Sequence, residues 1–325
     1  MIQDPETGGL QPFNFHKLDE LIPEVKQLDA RVDSISFTVP IDSSDVDQSH
    51  WEKLAKYIEK HYDRYDGFVI LHGSDTMAYT ASALSFIFNN LSKPVILTGS
   101  QLPIGVVRTD GKENIITSIE IASHYEGDRP IVPEVAIYFE YQLHRGNRTY
   151  KLNAEHFDAF SSPNYPILAE AGVSIMYNRE YIFRPSSDPF SIDTRLNNKI
   201  AILSLFPGIS RHIVEAALSI PENELVIMRT YGSGNAMTAR WFLNALENAI
   251  KRGLIIVNVS QCRGGGVLQG RYRTSYELAK MGVIPAGDML LEAAVAKSMH
   301  LLGIGLRGGE FKSAFGQNLK GEITV

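Results

Sequence analysis

The chain has 325 residues, is 44% hydrophobic and carries a formal net charge of −6. That length allows two domains with ample core, and an acidic balance spread without long runs argues against nucleic acid or an anionic membrane surface as the main partner. A single cysteine, Cys262, excludes an internal disulfide. With no N-terminal apolar h-region and no apolar run of transmembrane length, a soluble protein of the reducing cytoplasm, with no membrane span, is expected.

In chain order, the start MIQDPETGGLQPF opens on no strand and no cap, and reads as a loop. Residues 34–39 read as a strand that delivers Asp42-Ser43-Ser44-Asp45, with a helix beginning near Gln48. Phe68–Leu71 is short, β-rich and unalternating, the pattern of a strand buried on both faces of a parallel sheet. It leads into His72-Gly73-Ser74-Asp75-Thr76, after which Met77, Ala81, Leu84 and Phe88 recur at helical spacing. Val95–Thr98 is a second buried strand ending in Gly99-Ser100-Gln101, and a helix over 111–122 can follow. Val135–Phe139 makes a third strand, then a polar segment carries Arg145-Gly-Asn-Arg-Thr-Tyr-Lys151. The stretch 183–198 is rich in Ser, Pro and Asp without periodicity and reads as a linker. Beyond it, strands are expected near 200–205, 225–229 and 254–259, with helices near 212–218, 236–250 and 288–302. The alternation predicts an α/β fold of two α/β domains. These are a larger N-terminal domain with a flavodoxin-like parallel sheet over 1–185, a linker over 186–198 and a smaller C-terminal α/β domain over 199–325.

The end of Phe68–Leu71 is where open α/β sheets bind ligands. The unpaired amides of the following helix would face whatever sits beside Ser74 and Asp75, which suits a substrate carboxylate. As bare patterns, Ser-Asp-Thr before a helix and Asp42-Ser-Ser-Asp45 before Gln48 are more often helix caps than chemistry, with Thr76 the expected cap of the first. A lone lysine in a loop, such as Lys151, is ordinarily solvated. Thr-Tyr-Gly-Ser-Gly-Asn over 230–235 and the three glycines at 264–266 lack the spacing of dinucleotide or phosphate loops. The nine histidines show no metal-ligand spacing and Cys262 has no second cysteine, so no metal or cofactor is expected. His72 reads as a structural histidine rather than a base.

Taken in order, DSSD (42–45), HGSDTMAYT (72–80), TGSQLP (98–103), RTDGKEN (108–114), RGNRTYK (145–151), FDAFSSPN (157–164), TYGSGNA (230–236) and the closing QNLKGEITV resemble the bacterial L-asparaginases of the cytosolic, type I class over essentially the whole chain. The resemblance implies hydrolysis of asparagine to aspartate and ammonia by a threonine nucleophile, without metal or cofactor. Carried over by motif, Ser74, Asp75 and Lys151 form the assisting triad, with serine where the family usually has threonine. For Lys151 to accept a proton near neutrality its ammonium has to be destabilised by burial or by a neighbouring cation, for which Arg145 and Arg148 are candidates. Asp75 would take the substrate's ammonium. Ser43 and Ser44 would take its carboxylate, with Asp42 lining the same loop, and the carbonyl of Ser100 would meet the leaving amide. Asn235 resembles a position that completes the site of a neighbouring subunit, which implies a homodimer or homotetramer. Arg229 and Cys262 stand where some type I relatives bind a second, allosteric asparagine, with Tyr150 in place of a threonine of that pattern. Two other classes compete: a non-catalytic asparagine or aspartate sensor, and a related amidohydrolase acting on glutamine, a transfer-RNA-linked amide or a lysophospholipid.

The front of the chain departs from the family's pattern. Family members begin with a strand ending in a TGGTIG-type motif that carries the nucleophile, followed by a methionine and a mobile loop. Met1 coincides with that methionine and IQDPETGGLQPF reads as the loop. Thr7 lies within it and is not assigned the role, and Leu10 stands near the place of a tyrosine. The expectation is that the first strand and the attacking threonine lie upstream of Met1, through a start placed late rather than through a dead enzyme.

Overall fold

The structure, a computed structural model, describes residues 22–184, 187–270 and 273–324, together with a short ladder between Ile2–Gln3 and Leu10–Gln11. Met1, Thr7 and most of the expected front loop lie outside the described residues. The chain divides into two compact units between Asp193 and Thr194.

The first unit is built on a six-stranded sheet. Its strands are β1 (Phe68–Leu71), β2 (Val95–Thr98), β3 (Val135–Phe139), β4 (Gln142–Arg145), β5 (Ala169–Ala171) and β6 (Ile175–Tyr177). They lie side by side in chain order, with β1, β2 and β3 parallel and the rest antiparallel. Every residue of β2 and β3 is buried, which is why their sequences are apolar without alternation. β1 differs from the expectation of full burial: all four of its residues are half-buried. The reason is its place as the outermost strand among the described residues.

Among the described residues, three α-helices accompany this sheet: α1 (Gln48–His61), α2 (Met77–Ile87) and α3 (Gly111–Ser123). α1 opens with a capping box. Asp47 accepts from the amides of Ser49 and His50, while the His50 ring reaches back to the Asp47 amide. α2 is buried along nearly its whole length, and this fixes its first turn rigidly at the end of β1. It ends where Phe88–Asn89 turns into a two-residue ladder with Ser191–Ile192. The expected linker is therefore partly folded against the first unit, with Phe190 stacked on Tyr62 at a centroid distance of 3.7 Å.

The strand expected over 34–39 does not form. Its alternating pattern is genuine, but Ile35, Phe37 and Val39 are 59%, 40% and 73% exposed, and no described strand pairs with them. Apolar alternation makes a strand only where a neighbour takes up its amides and carbonyls.

The second unit carries a four-stranded, wholly parallel sheet in chain order: β7 (Ile200–Ser204), β8 (Leu225–Thr230), β9 (Ile255–Ser260) and β10 (Ile284–Pro285). Helices α4 (Arg211–Ser219), α5 (Arg240–Lys251), α6 (Arg273–Met281), α7 (Leu291–Gly303) and α8 (Gly308–Phe315) complete it. Val226, Met228, Phe242, Leu246 and Ile256 form part of its core. α5 starts four residues later than expected because Tyr231 and Asn235 first close a tight turn with reciprocal backbone bonds of 2.9 and 2.8 Å. α7 likewise starts after Asp288, whose carboxylate instead holds the amide and hydroxyl of Thr324 at 2.9 and 2.6 Å. Lys297 is fully buried, pairs with Glu322 and donates to the carbonyl of Phe315, which ties the chain's closing segment to α7. Among the described residues no helix is long and apolar enough to cross a membrane.

Candidate active site

The chemistry gathers where β1 gives way to α2. The backbone there is packed too closely for any residue but glycine at two points. A Cβ on Gly73 would lie 2.5 Å from Ser43 Oγ, and one on Gly99 would lie 2.3 Å from the carbonyl oxygen of His72. The first close approach presses the 72–76 segment onto the turn Ser43–Asp45, and the second sets it beside the end of β2.

Asp42 organises the Ser43–Asp45 turn itself, accepting from the amide and hydroxyl of Ser44 at 2.9 and 2.7 Å. Those bonds hold the Asp42 carboxyl below its usual range. The sequence pattern suggested that this cluster caps α1, yet Asp47 does so. Ser43 is 7% exposed. Thr76 was expected to cap α2 and does not: its hydroxyl donates to the carbonyl of Ser43 at 2.6 Å. The bond joins the end of β1 to the Ser43–Asp45 turn, where the Ser43 carbonyl also accepts from the Val46 amide at 3.3 Å.

His72 is held at both ring nitrogens. Nδ1 lies 2.7 Å from the Gly73 carbonyl and Nε2 lies 2.9 Å from Thr80 Oγ1. A carbonyl only accepts, so Nδ1 carries the proton and Nε2 accepts from Thr80, whose oxygen in turn accepts from Trp51 Nε1 at 2.9 Å. Burial lowers the affinity of this ring for a second proton. His72 is thus a strut under the strand end, as its pattern suggested.

Lys151 reaches the same point from the other side. After β4 the chain makes a buried 3-10 turn, Gly146–Arg148, which packs on α2, and then the short ladder of Tyr150–Lys151 with Phe160–Ser161. Lys151 Nζ donates to Ser74 Oγ at 2.8 Å and to Asp75 Oδ1 at 2.6 Å. The lysine side chain is 17% exposed and that of Asp75 is 67% exposed, so one end of the pair is sheltered and the other open to solvent. The expectation that Arg145 supplies a cation beside Lys151 is corrected here. Its guanidinium is committed to a buried pair with Glu134, with Nε 2.6 Å from Oε2, and to the carbonyl of Tyr181 at 2.8 Å. Arg148 is buried with its guanidinium over the Tyr165 ring, 5.1 Å from the centroid.

Beyond β2, Ser100 sits half-buried against Gly111 at the start of α3. Its neighbour Gln101 carries a contact that the motif did not reveal: Ser74 donates its hydroxyl proton to Gln101 Oε1 at 2.9 Å. A pocket lined by Gln101, Leu102, Arg108, Glu155, His156 and Phe157, among others, opens on the far side of this amide.

Three expected site residues belong to the second unit. Asn235 closes the turn described above. Arg229, the penultimate residue of β8, has a buried Nε without a hydrogen-bond partner. Cys262 follows β9 and is exposed, with its amide on Ser260 Oγ at 3.0 Å. Among the described residues, no group of three His, Cys, Asp or Glu side chains is placed to hold a metal ion.

Comparison with known proteins covers both units. The family described as asparaginase, N-terminal, matches residues 1–183, and the glutaminase/asparaginase C-terminal domain matches residues 199–315. The chain is 43% identical to L-asparaginase 1 of Escherichia coli strain K12 over 288 residues, which is 89% of this chain and 83% of that protein. Among solved structures it resembles L-asparaginase I from Vibrio cholerae, with a TM-score of 0.81 and 42% identity over 88% of this chain and 84% of that one. It also resembles the thermostable L-asparaginase from Thermococcus kodakarensis, with a TM-score of 0.90 and 29% identity over 99% and 95% of the two chains.

Proposed function

The chain belongs to the asparaginase family, and from that premise we propose that it hydrolyses L-asparagine to L-aspartate and ammonia. The observation that carries this reading is Lys151 Nζ, which bonds Ser74 Oγ and Asp75 Oδ1 together at the end of a parallel strand. In this reading Ser74 passes a proton between the attacking threonine hydroxyl and Lys151, and Asp75 balances the charge that the lysine then holds. The attacking threonine is not assigned to any described residue.

The substrate's ammonium goes to Asp75, whose carboxylate is open to solvent. Its carboxylate goes to the Ser43–Asp45 turn, with Ser44 exposed, Ser43 buried and Asp42 holding the turn's shape. The carbonyl of Ser100 receives the leaving amide. Asn235 completes the site of a second subunit, which makes the protein a homodimer or homotetramer of the cytoplasm. Arg229 and Cys262 contribute to a second asparagine site in this reading. The unpaired Nε of Arg229 supports a polar ligand there. Sigmoidal kinetics weakened by Cys262→Ala are expected, and hyperbolic kinetics unchanged by that substitution contradict this second site.

The test is ammonia release from L-asparagine alongside calorimetric binding of L-asparagine and L-aspartate. Turnover with binding is expected. Binding without release instead identifies a sensor, and release from glutamine or a larger amide in preference to asparagine moves the reading to a related amidohydrolase.

A further inference from the structure

Gln101 is joined at three points. Its backbone amide and that of Leu102 donate to the Asp110 carboxylate at 2.9 and 3.1 Å, and Asp110 is itself 8% exposed and bonded to Asn114 Nδ2 at 3.2 Å. Its side-chain nitrogen donates to the carbonyls of His156 at 3.0 Å and Asn153 at 3.4 Å. Its side-chain oxygen accepts from Ser74. Two carbonyls can receive hydrogen bonds only from the NH2 end of an amide, so the orientation of this amide is decided by the 153–156 loop and not by Ser74. Turning it over would set oxygen against two oxygens and nitrogen against a hydroxyl that already has a donor in Lys151.

A serine hydroxyl has one proton and a free rotor. With Lys151 Nζ donating to its oxygen, the proton has to point elsewhere, and Gln101 Oε1 is where it points. We propose that Gln101 is a positioning residue for Ser74: while Lys151 is protonated, the locked amide oxygen accepts the hydrogen bond of the serine hydroxyl and so keeps the serine oxygen turned toward Lys151, in place for the step that passes a proton between them. The proposal rests on the asparaginase reading for its kinetic consequence, though not for its geometry. It also gives the glutamine of TGSQ a role that its motif alone does not supply.

Two substitutions separate this role from a plain structural one. Gln101→Met keeps the length and removes both the acceptor and the donors. Gln101→Glu keeps an oxygen facing Ser74 and removes the two bonds donated to the loop. If Gln101 acts through Ser74, Gln101→Met lowers kcat for asparagine by about 10- to 100-fold with KM within about threefold, while Gln101→Glu stays within about fivefold of the native kcat. If Gln101 is only a strut for the 153–156 loop, both variants lose activity and Gln101→Glu is the worse, since a carboxylate then faces two carbonyls. That result, or native kcat in Gln101→Met, overturns the proposal. Crystal structures of the native chain and both variants decide it independently of turnover. The Ser74 Oγ to Lys151 Nζ contact is expected to persist in the native chain and in Gln101→Glu and to be lost in Gln101→Met, and its persistence in Gln101→Met overturns the proposal. A native chain that releases no ammonia defeats the asparaginase reading, while the Ser74 geometry still answers for Gln101.

Discussion

The family resemblance implies a threonine at the place of Ser74, a difference of one methyl group. That methyl normally stiffens χ1, so a serine in the same place depends more on its hydrogen bonds to hold one orientation. Lys151 and Gln101 supply those bonds at 2.8 and 2.9 Å. Ser74→Ala is expected to lower kcat by about 10²- to 10⁴-fold, the ordinary worth of a positioned proton-transfer group, with a smaller change in KM. Ser74→Thr keeps the hydroxyl and is expected to turn over within about tenfold of the native chain. Steady-state ammonia release over a range of asparagine concentrations checks both, and an active Ser74→Ala removes the hydroxyl from the relay. The carboxylate, hydroxyl and lysine of this cluster were legible only through the family resemblance that the motifs carry, since as bare patterns they read as a cap and a solvated lysine. Gln101 was not, because its partners Asn153 and His156 lie more than fifty residues away and present only backbone. Nor was the hydroxyl of Thr76 legible, since a threonine before a helix reads locally as a cap while its bond runs to Ser43.

At the level of elements, the site depends on the end of β1 and the Ser43–Asp45 turn being held in contact. Gly73 lets them touch and Thr76 ties them. A methyl at Gly73 meets Ser43 Oγ and Cβ at 2.5 and 2.7 Å, so the Ser43–Asp45 turn has to move. Gly73→Ala is therefore expected to raise KM for asparagine by about tenfold or more while costing about 1 to 3 kcal/mol of stability, as overpacking does. Thr76→Val loses the hydroxyl with little change of shape and is expected to raise KM less, at about 1 kcal/mol in stability. Asparagine titrations and urea unfolding of the two variants check these outcomes, and an unchanged KM in both detaches the turn from the substrate. The elements themselves were largely readable: short unalternating runs gave β1 to β3, and helical spacing gave α2 and α3. The strand expected over 34–39 failed because periodicity reports which side chains share a face and says nothing of whether a partner strand is present. The antiparallel half of the first sheet, β4 to β6, escaped notice because its strands are only three or four residues long, too short to show a period.

Across the whole molecule, the two α/β units follow the alternation of the sequence, and the buried polar groups set how the fold responds to acid. His144 on β4 is 3% exposed and its Nδ1 has no hydrogen-bond partner, so burial pushes its affinity for a proton down from a pKa of 6.5 to about 4. Below pH 6.5 the unfolded chain takes up a proton that the folded chain refuses, so stability falls as pH falls, until about pH 4 where the folded form also protonates. At about 1.4 kcal/mol per pKa unit the full effect is about 3 kcal/mol. Urea unfolding at pH 7 and pH 4.5 is expected to show a loss of stability that shrinks by about 2 to 3 kcal/mol in His144→Leu. An identical loss in the two proteins places the acid sensitivity elsewhere.

Whether the lysine held between Ser74 and Asp75 works in asparagine hydrolysis is tested by comparing ammonia release from L-asparagine by the native chain and by Lys151→Met. Turnover by the native chain is expected, with a kcat lower by about 10²- to 10⁴-fold in the variant and KM within a few fold. Turnover in Lys151→Met close to the native rate, or no ammonia from the native chain at all, would contradict it.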